Sequence, residues 1–249
     1  MEQFKPTSFK ILPPVVKNIL IINALFFLAT IGLQSAFKID LVDKFGMHYF
    51  GSHLFKPYQI VTYMFMHGGF GHIFFNMFAL WMFGNVLENF WGPKKFLTYY
   101  MITGIGAVFV QMAINYYQIS QLEALMSPEQ ISTVLNEGYK IIQENKNFID
   151  PSMAELNQLY NTSTIGASGA VFGILLAFGM MFPNSVIYLY FAIPIKAKWF
   201  VILYGALELY SGISNNPADN VAHFAHLGGM LFGFFMIIYW NKKIKNKYF

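Results

Sequence analysis

Ser168 sits among small residues in Gly166-Ala167-Ser168-Gly169, and His226 lies in Ala225-His226-Leu227-Gly228-Gly229, with Gly233 beyond. A serine hydroxyl becomes a nucleophile when a neighbouring base takes its proton, and imidazole is the most frequent such base. If Ser168 opens a helix, the free N–H groups there can also hold an oxyanion. Each motif has a plainer reading. Gly169, Gly173 and Ala177, like Ala225, Gly229 and Gly233, recur every four residues. Such stripes let helices pack closely in a bilayer. The same close approach would bring His226 within reach of Ser168.

His72 and Asn76 are four apart and share a helix face, so both could donate to a developing oxyanion or simply bond between helices. His67, His223, Glu88 and Glu208 are further polar residues in apolar surroundings. His223 and His226 form His-x-x-His, but a catalytic zinc usually takes three protein ligands. No acid neighbours the pair in sequence and the His-Glu-x-x-His helix pattern is absent, so no metal is expected. Glu88 reads as a buried structural hydrogen-bonder. Glu208 has no role legible from sequence.

The elements that must position these residues are membrane spans. The chain is 56% hydrophobic and only 11% charged, against roughly 25% charged in soluble proteins. Several apolar runs reach the roughly 20 residues that cross a bilayer. Six spans are predicted: Asn18–Phe37, His72–Trp91, Phe96–Tyr117, Ile165–Phe182, Trp199–Ile213 and Val221–Trp240. Pro13-Pro14, Gly92-Pro93, Pro183, Pro194 and Pro217 punctuate them. No internal duplication is visible of the kind many transporters carry.

All 16 basic residues are lysines. They cluster at span ends rather than in one patch, which argues against nucleic acid. With a cytoplasmic N-terminus, Lys5, Lys10, Lys17, Lys94, Lys95, Lys196, Lys198, Lys242, Lys243, Lys245 and Lys247 all fall inside. The acid-rich segment 118–163 then lies outside. No cleavable leader is evident, and the first apolar segment reads as a retained span. Cysteine is absent, which excludes disulfides and thiolate metal sites.

Two regions do not span. Residues 38–71, rich in aromatics, Gly and His, read as a partly embedded loop. Residues 118–163 read as an extracytoplasmic helical insertion, with helix starts at Ser127-Pro128-Glu129 and Asp150-Pro151-Ser152.

The ordered set His72-x-x-x-Asn76, Gly166-x-Ser168-Gly169 and Ala225-His226-x-x-Gly229-x-x-x-Gly233, on the second, fourth and sixth spans, resembles the rhomboid intramembrane serine proteases over nearly the whole chain. The resemblance implies an all-α bundle of six transmembrane helices forming one domain over 1–249, and a Ser168–His226 dyad without a third acid. It implies an oxyanion held by the Ser168 N–H, His72 and Asn76, with His67 supporting the pocket. The fifth span would be a lateral gate and 38–71 the embedded first loop. Substrates would be transmembrane segments of other proteins, cleaved near the outer leaflet without metal or cofactor. Lys56-Pro57-Tyr58-Gln59 lacks the Trp-Arg pair of many rhomboids, and Phe172 stands where some have a tyrosine on the catalytic histidine. The competing expectation is an inactive rhomboid-like protein that binds and sorts membrane proteins. Composition suits a bacterial cytoplasmic membrane with both termini inside. Nothing in the sequence fixes an oligomeric state.

Overall fold

The structure is a computed structural model that describes residues 9–189, 192–214 and 221–245. Helix α1 (Pro14–Phe37) begins where Pro13-Pro14 can only start a helix and ends at Lys38, which adopts the left-handed conformation. Short helices α2 (Leu41–Phe45) and α3 (Gln59–Thr62) lie in the loop before the second span. That span is α4 (Phe70–Ala79), a π-helical turn over Leu80–Gly84, and α5 (Asn85–Trp91). Helix α6 (Pro93–Glu123) follows directly after Gly92 and runs six residues beyond its expected end at Tyr117.

The insertion folds as α7 (Pro128–Gln143) and α8 (Pro151–Asn161). Both start where the sequence indicates. Ser127 and Gln130 close a reciprocal capping box, and the Asp150 carboxylate accepts from the Met153 N–H. Helix α9 (Ser168–Met181) begins three residues later than expected. Strands β1 (Val186–Leu189) and β2 (Ile193–Lys196) pair antiparallel, an element the span reading did not anticipate. Helices α10 (Ala197–Ser214) and α11 (His223–Lys245) complete the bundle. The expected boundary at Pro217 lies outside the described residues.

The chain is an integral, multi-pass membrane protein. Among the described residues four segments, α1, Phe70–Trp91, α6 and most of α11 (His223–Lys242), are long and apolar enough to cross a bilayer. Helix α1 buries Val16, Ile19 and Asn23 and turns Ile21, Ile22, Leu25, Leu28 and Ile31 outward. Helix α10 exposes Trp199, Ile202, Leu203, Leu207 and Ile213 in the same way. Exposed apolar faces this extensive require lipid rather than water.

Helix α9 is different: Gly169 to Leu175, Ala177, Phe178 and Gly179 are all buried. It is the hub against which α6, α10 and α11 pack. At 1.5 Å per residue its 14 residues extend about 21 Å, short of a hydrocarbon core of about 30 Å. Surrounding helices, not lipid, cover its flanks.

The loop 38–71 packs into the bundle, burying Met47, His48, Gln59, Tyr63, Met64 and Met66. In place of a Trp-Arg pair, the Gln59 side chain accepts from Lys56 N at 3.0 Å and donates to Leu54 O at 3.1 Å. Met47 and Thr164 exchange backbone hydrogen bonds of 2.8 and 2.9 Å, tying this loop to the approach to α9. Glu88 is structural, as the sequence indicates. Its carboxylate accepts from Val15 N and Val16 N at 2.9 and 2.8 Å, capping the positive end of α1.

Candidate active site

The backbone turn that delivers Ser168 depends on Gly166. Its φ is 119°, a region L-residues rarely adopt, and a β-carbon there would stand 2.7 Å from His72 Nε2. The Gly166 N–H is anchored on Tyr63 O at 2.9 Å, while Tyr63 donates its hydroxyl to Gly104 O at 2.7 Å. Ser168 is the first residue of α9, where helix N–H groups lack partners one turn back.

Helix α11 carries His226 to the same place by crossing α9 without side chains between them. A β-carbon on Gly229 would overlap the Gly169 carbonyl, and one on Gly233 would overlap the Tyr99 hydroxyl. Gln111 Oε1 accepts from Ala225 N at 3.1 Å and fixes the start of α11. The result is a contact of 2.8 Å between Ser168 Oγ and His226 Nε2. Phe172, one turn along α9, lies face to face on the imidazole at 4.2 Å and 7°. The phenyl ring therefore stacks where the resemblance implied a tyrosine in some rhomboids.

A cavity of about 1050 Å³ opens on this pair. His72 and Asn76 line it, as the oxyanion expectation requires. His72 Nδ1 faces the Gly68 N–H at 3.4 Å, which leaves Nε2 to carry the proton toward the cavity. Asn76 spends one donor on the His72 carbonyl at 2.9 Å. His67 is placed less directly than expected. It is 2% exposed, packs edge-on against His72 at 5.0 Å, and is not among the described residues lining the cavity. The far wall is α8, through Pro151, Ala154, Gln158 and Leu159. Phe75 and Ala79 of α4 and Tyr204 of α10 also border the cavity, and Phe75 and Tyr204 are exposed on the outside of the bundle.

Glu208 is the residue that sequence reasoning missed. The resemblance implied a Ser168–His226 dyad without a third acid, whereas Glu208 Oε2 lies 2.7 Å from the Nδ1 atoms of both His223 and His226. The two histidines are 15 and 18 residues away on another helix. Only the docking of α10 on α11 creates the cluster, so the sole signal in sequence was an acid inside an apolar helix. Each of the three offers a donor atom, all within 4.8 Å of one another, a set that could hold a metal. Ligands on a tetrahedral zinc, about 2.1 Å from the ion, lie about 3.4 Å apart. The observed 2.7 Å is instead a hydrogen-bond length. The spacing therefore fits two imidazole N–H donors on one carboxylate oxygen.

Comparison with known proteins agrees with this architecture. The Rhomboid domain matches residues 54–243. The chain is 29% identical to RHOMBOID-like protein 12, mitochondrial, of Arabidopsis thaliana, over 70% of this chain and 44% of that protein. It is 27% identical to Rhomboid protein 1, mitochondrial, of Saccharomyces cerevisiae, over 76% and 43%. It is 29% identical to Rhomboid protease AarA of Providencia stuartii, over 68% and 51%. The chain thus spans about half the length of the curated relatives it matches. With three-quarters of its residues inside the domain match, the chain belongs to the rhomboid family.

Proposed function

We propose that this protein is an intramembrane serine endopeptidase, a single domain over 1–249, that cleaves transmembrane segments of other membrane proteins near the outer leaflet. The observation that carries the reading is the 2.8 Å contact between Ser168 Oγ and His226 Nε2, both of which line the cavity. His226 Nε2 takes the hydroxyl proton as Oγ attacks the scissile carbonyl. The tetrahedral oxyanion is held by the Ser168 N–H, the His72 Nε2–H and the remaining Asn76 Nδ2–H. His226 then gives its proton to the leaving amine. A water from the cavity hydrolyses the acyl-enzyme with the same imidazole as base.

A substrate helix enters from lipid between α4 and α10, where Phe75, Ala79 and Tyr204 border the cavity. The lysine distribution supports an orientation with both termini in the cytoplasm and Ser168 toward the outer side. We assign a bacterial cytoplasmic membrane on composition, although two of the relatives named above are mitochondrial.

The test is labelling of the detergent-purified protein with a fluorophosphonate, wild type beside Ser168→Ala and His226→Ala. The expected result is labelling of the wild type alone. A folded wild type that stays unlabelled overturns the proposal in favour of a binding or sorting role.

A further inference from the structure

Helix α10 turns almost its whole length to lipid. Among its described side chains only Ala197, Val201 and Glu208 are buried. Placing a carboxylate inside a membrane bundle is costly, so such a group marks a function or a specific pairing. Here the pairing is specific. Glu208 is 6% exposed and accepts from His226 Nδ1 and His223 Nδ1, each at 2.7 Å.

The other nitrogen of the same ring meets Ser168 Oγ at 2.8 Å. A neutral imidazole carries one proton. With that proton on Nδ1 and directed at a carboxylate, the Nε2 lone pair must face the serine, which is the tautomer a general base needs. The face of the ring is held as well, by Phe172 at 4.2 Å. Tyr204, one turn before Glu208, packs on Phe172 at 4.9 Å. Helix α10 therefore acts on the imidazole twice, at its Nδ1 edge and through the ring stacked on its face.

We infer that Glu208 is a positioning residue of the catalytic site, completing a Ser168–His226–Glu208 arrangement in place of a two-residue dyad. This rests on the protease reading above. When Ser168 Oγ attacks, its proton passes to His226 Nε2 and the ring becomes an imidazolium. The Glu208 anion stabilises that cation through the Nδ1–H and does not take the proton. The proton leaves on the amine of the departing peptide, and the ring returns to its starting tautomer. His223 supplies a second donor to the same oxygen, so the carboxylate stays oriented when the first bond changes strength.

The experiment measures fluorophosphonate inactivation of the full-length, detergent-purified protein, separating maximal inactivation rate from reagent affinity, with Tm recorded beside them. In Glu208→Gln the expected rate falls by about 10²–10⁴-fold, the upper figure being the loss when a triad acid becomes an amide. Reagent affinity and Tm should stay near wild type, and Glu208→Asp should recover part of the rate. A purely structural Glu208 would instead lower Tm and rate together without recovery in Glu208→Asp, which overturns the inference. Wild-type rate in Glu208→Gln overturns it while leaving the protease reading intact. An unlabelled wild type overturns both. If Glu208→Gln does not fold, the same comparison is read on Glu208→Asp: a reduced rate at retained Tm supports the role, and an unchanged rate removes it.

Discussion

The ring of Phe172 lies flat on the imidazole of His226, with centroids 4.2 Å apart and planes 7° from parallel. The two residues come from the helices that carry the candidate nucleophile and base. The stacked ring restricts rotation of the imidazole about its bond to the backbone and shields one face from water. Aromatic pairs contribute about 0.5–1.5 kcal/mol beyond buried area. Phe172→Leu, which keeps most of the volume and loses the ring, should slow fluorophosphonate labelling by about tenfold, since 1.4 kcal/mol is a factor of ten. Phe172→Tyr should label at a rate close to wild type. Equal rates in the Leu variant and the wild type would remove the stacking from the account.

The crossing of α9 and α11 sets the serine–histidine distance, and Gly229 sets the crossing. A β-carbon on Gly229 would overlap the Gly169 carbonyl, which is backbone and cannot rotate away. Overpacking of this kind costs about 1–3 kcal/mol. Gly229→Ala should lower Tm and also suppress labelling, because α11 must move off α9 and take His226 with it. Gly32→Ala is the control: nothing lies within 4 Å of its added carbon, so Tm should not fall. Retained labelling in Gly229→Ala would show that the contact tolerates a wider crossing.

The pH dependence of stability has a definite sign at His67, in the loop ahead of the second span. Burial and the neighbouring His72 push its imidazole down from 6.5 to about 4. Above pH 6.5 the ring is neutral in both folded and unfolded chains, and its contribution is fully present. Between pH 6.5 and about 4 the unfolded chain binds a proton that the folded one refuses, so stability falls as pH falls. Tm measured against pH should drop less steeply over this window in His67→Phe than in wild type. Parallel curves for the two proteins would place the acid sensitivity elsewhere.

Much of this site was legible because its residues lie in short motifs on separate spans. Ser168 and His226 stand beside glycines whose four-residue recurrence announces close helix packing, and the structure uses Gly169 and Gly229 in that way. Ser127 and Asp150 were legible as caps because capping is a local matter of three or four residues. The partners of Glu208 were not legible, since its contacts depend on how α10 docks and not on anything within its own helix. The π-helical turn at Leu80–Gly84 shifts the phase of the second span between its two halves, and apolar periodicity alone does not reveal such a turn. The hairpin of β1 and β2 is four residues a side between two helices, short enough for its apolar residues to merge with the spans.

The two oxyanion candidates make separable predictions because their bonding differs. His72 carries its Nε2 proton toward the cavity, whereas Asn76 already spends one donor on the His72 carbonyl. Removal of one oxyanion donor typically costs about 10²–10³-fold in rate. His72→Ala should reach that range with Tm little changed, the cavity side of His72 being open. Asn76→Ala should lose less, because one remaining N–H is withdrawn and the helix backbone is otherwise undisturbed. A larger loss in Asn76→Ala than in His72→Ala would reverse this order of importance.

The insertion contributes a wall to the cavity that holds Ser168, so it should act on substrate entry rather than on the chemical step. Ala154, Gln158 and Leu159 of α8 face the same space as His72 and His226. Helix α8 is anchored independently of the cavity: Asp150 caps it, and Ala154 O accepts from Asn147 Nδ2 at 3.0 Å. A bulky residue at Ala154 narrows the space without touching the serine–histidine pair. Ala154→Trp should therefore raise KM severalfold for a transmembrane polypeptide substrate in reconstituted vesicles, with kcat within about twofold of wild type, the pattern of lost uniform binding. Fluorophosphonate, small enough to pass the narrowed mouth, should label the variant at the wild-type rate. A fall in kcat with unchanged KM would mean that α8 acts on the catalytic geometry, and the insertion would then belong to the machinery of cleavage rather than to substrate access.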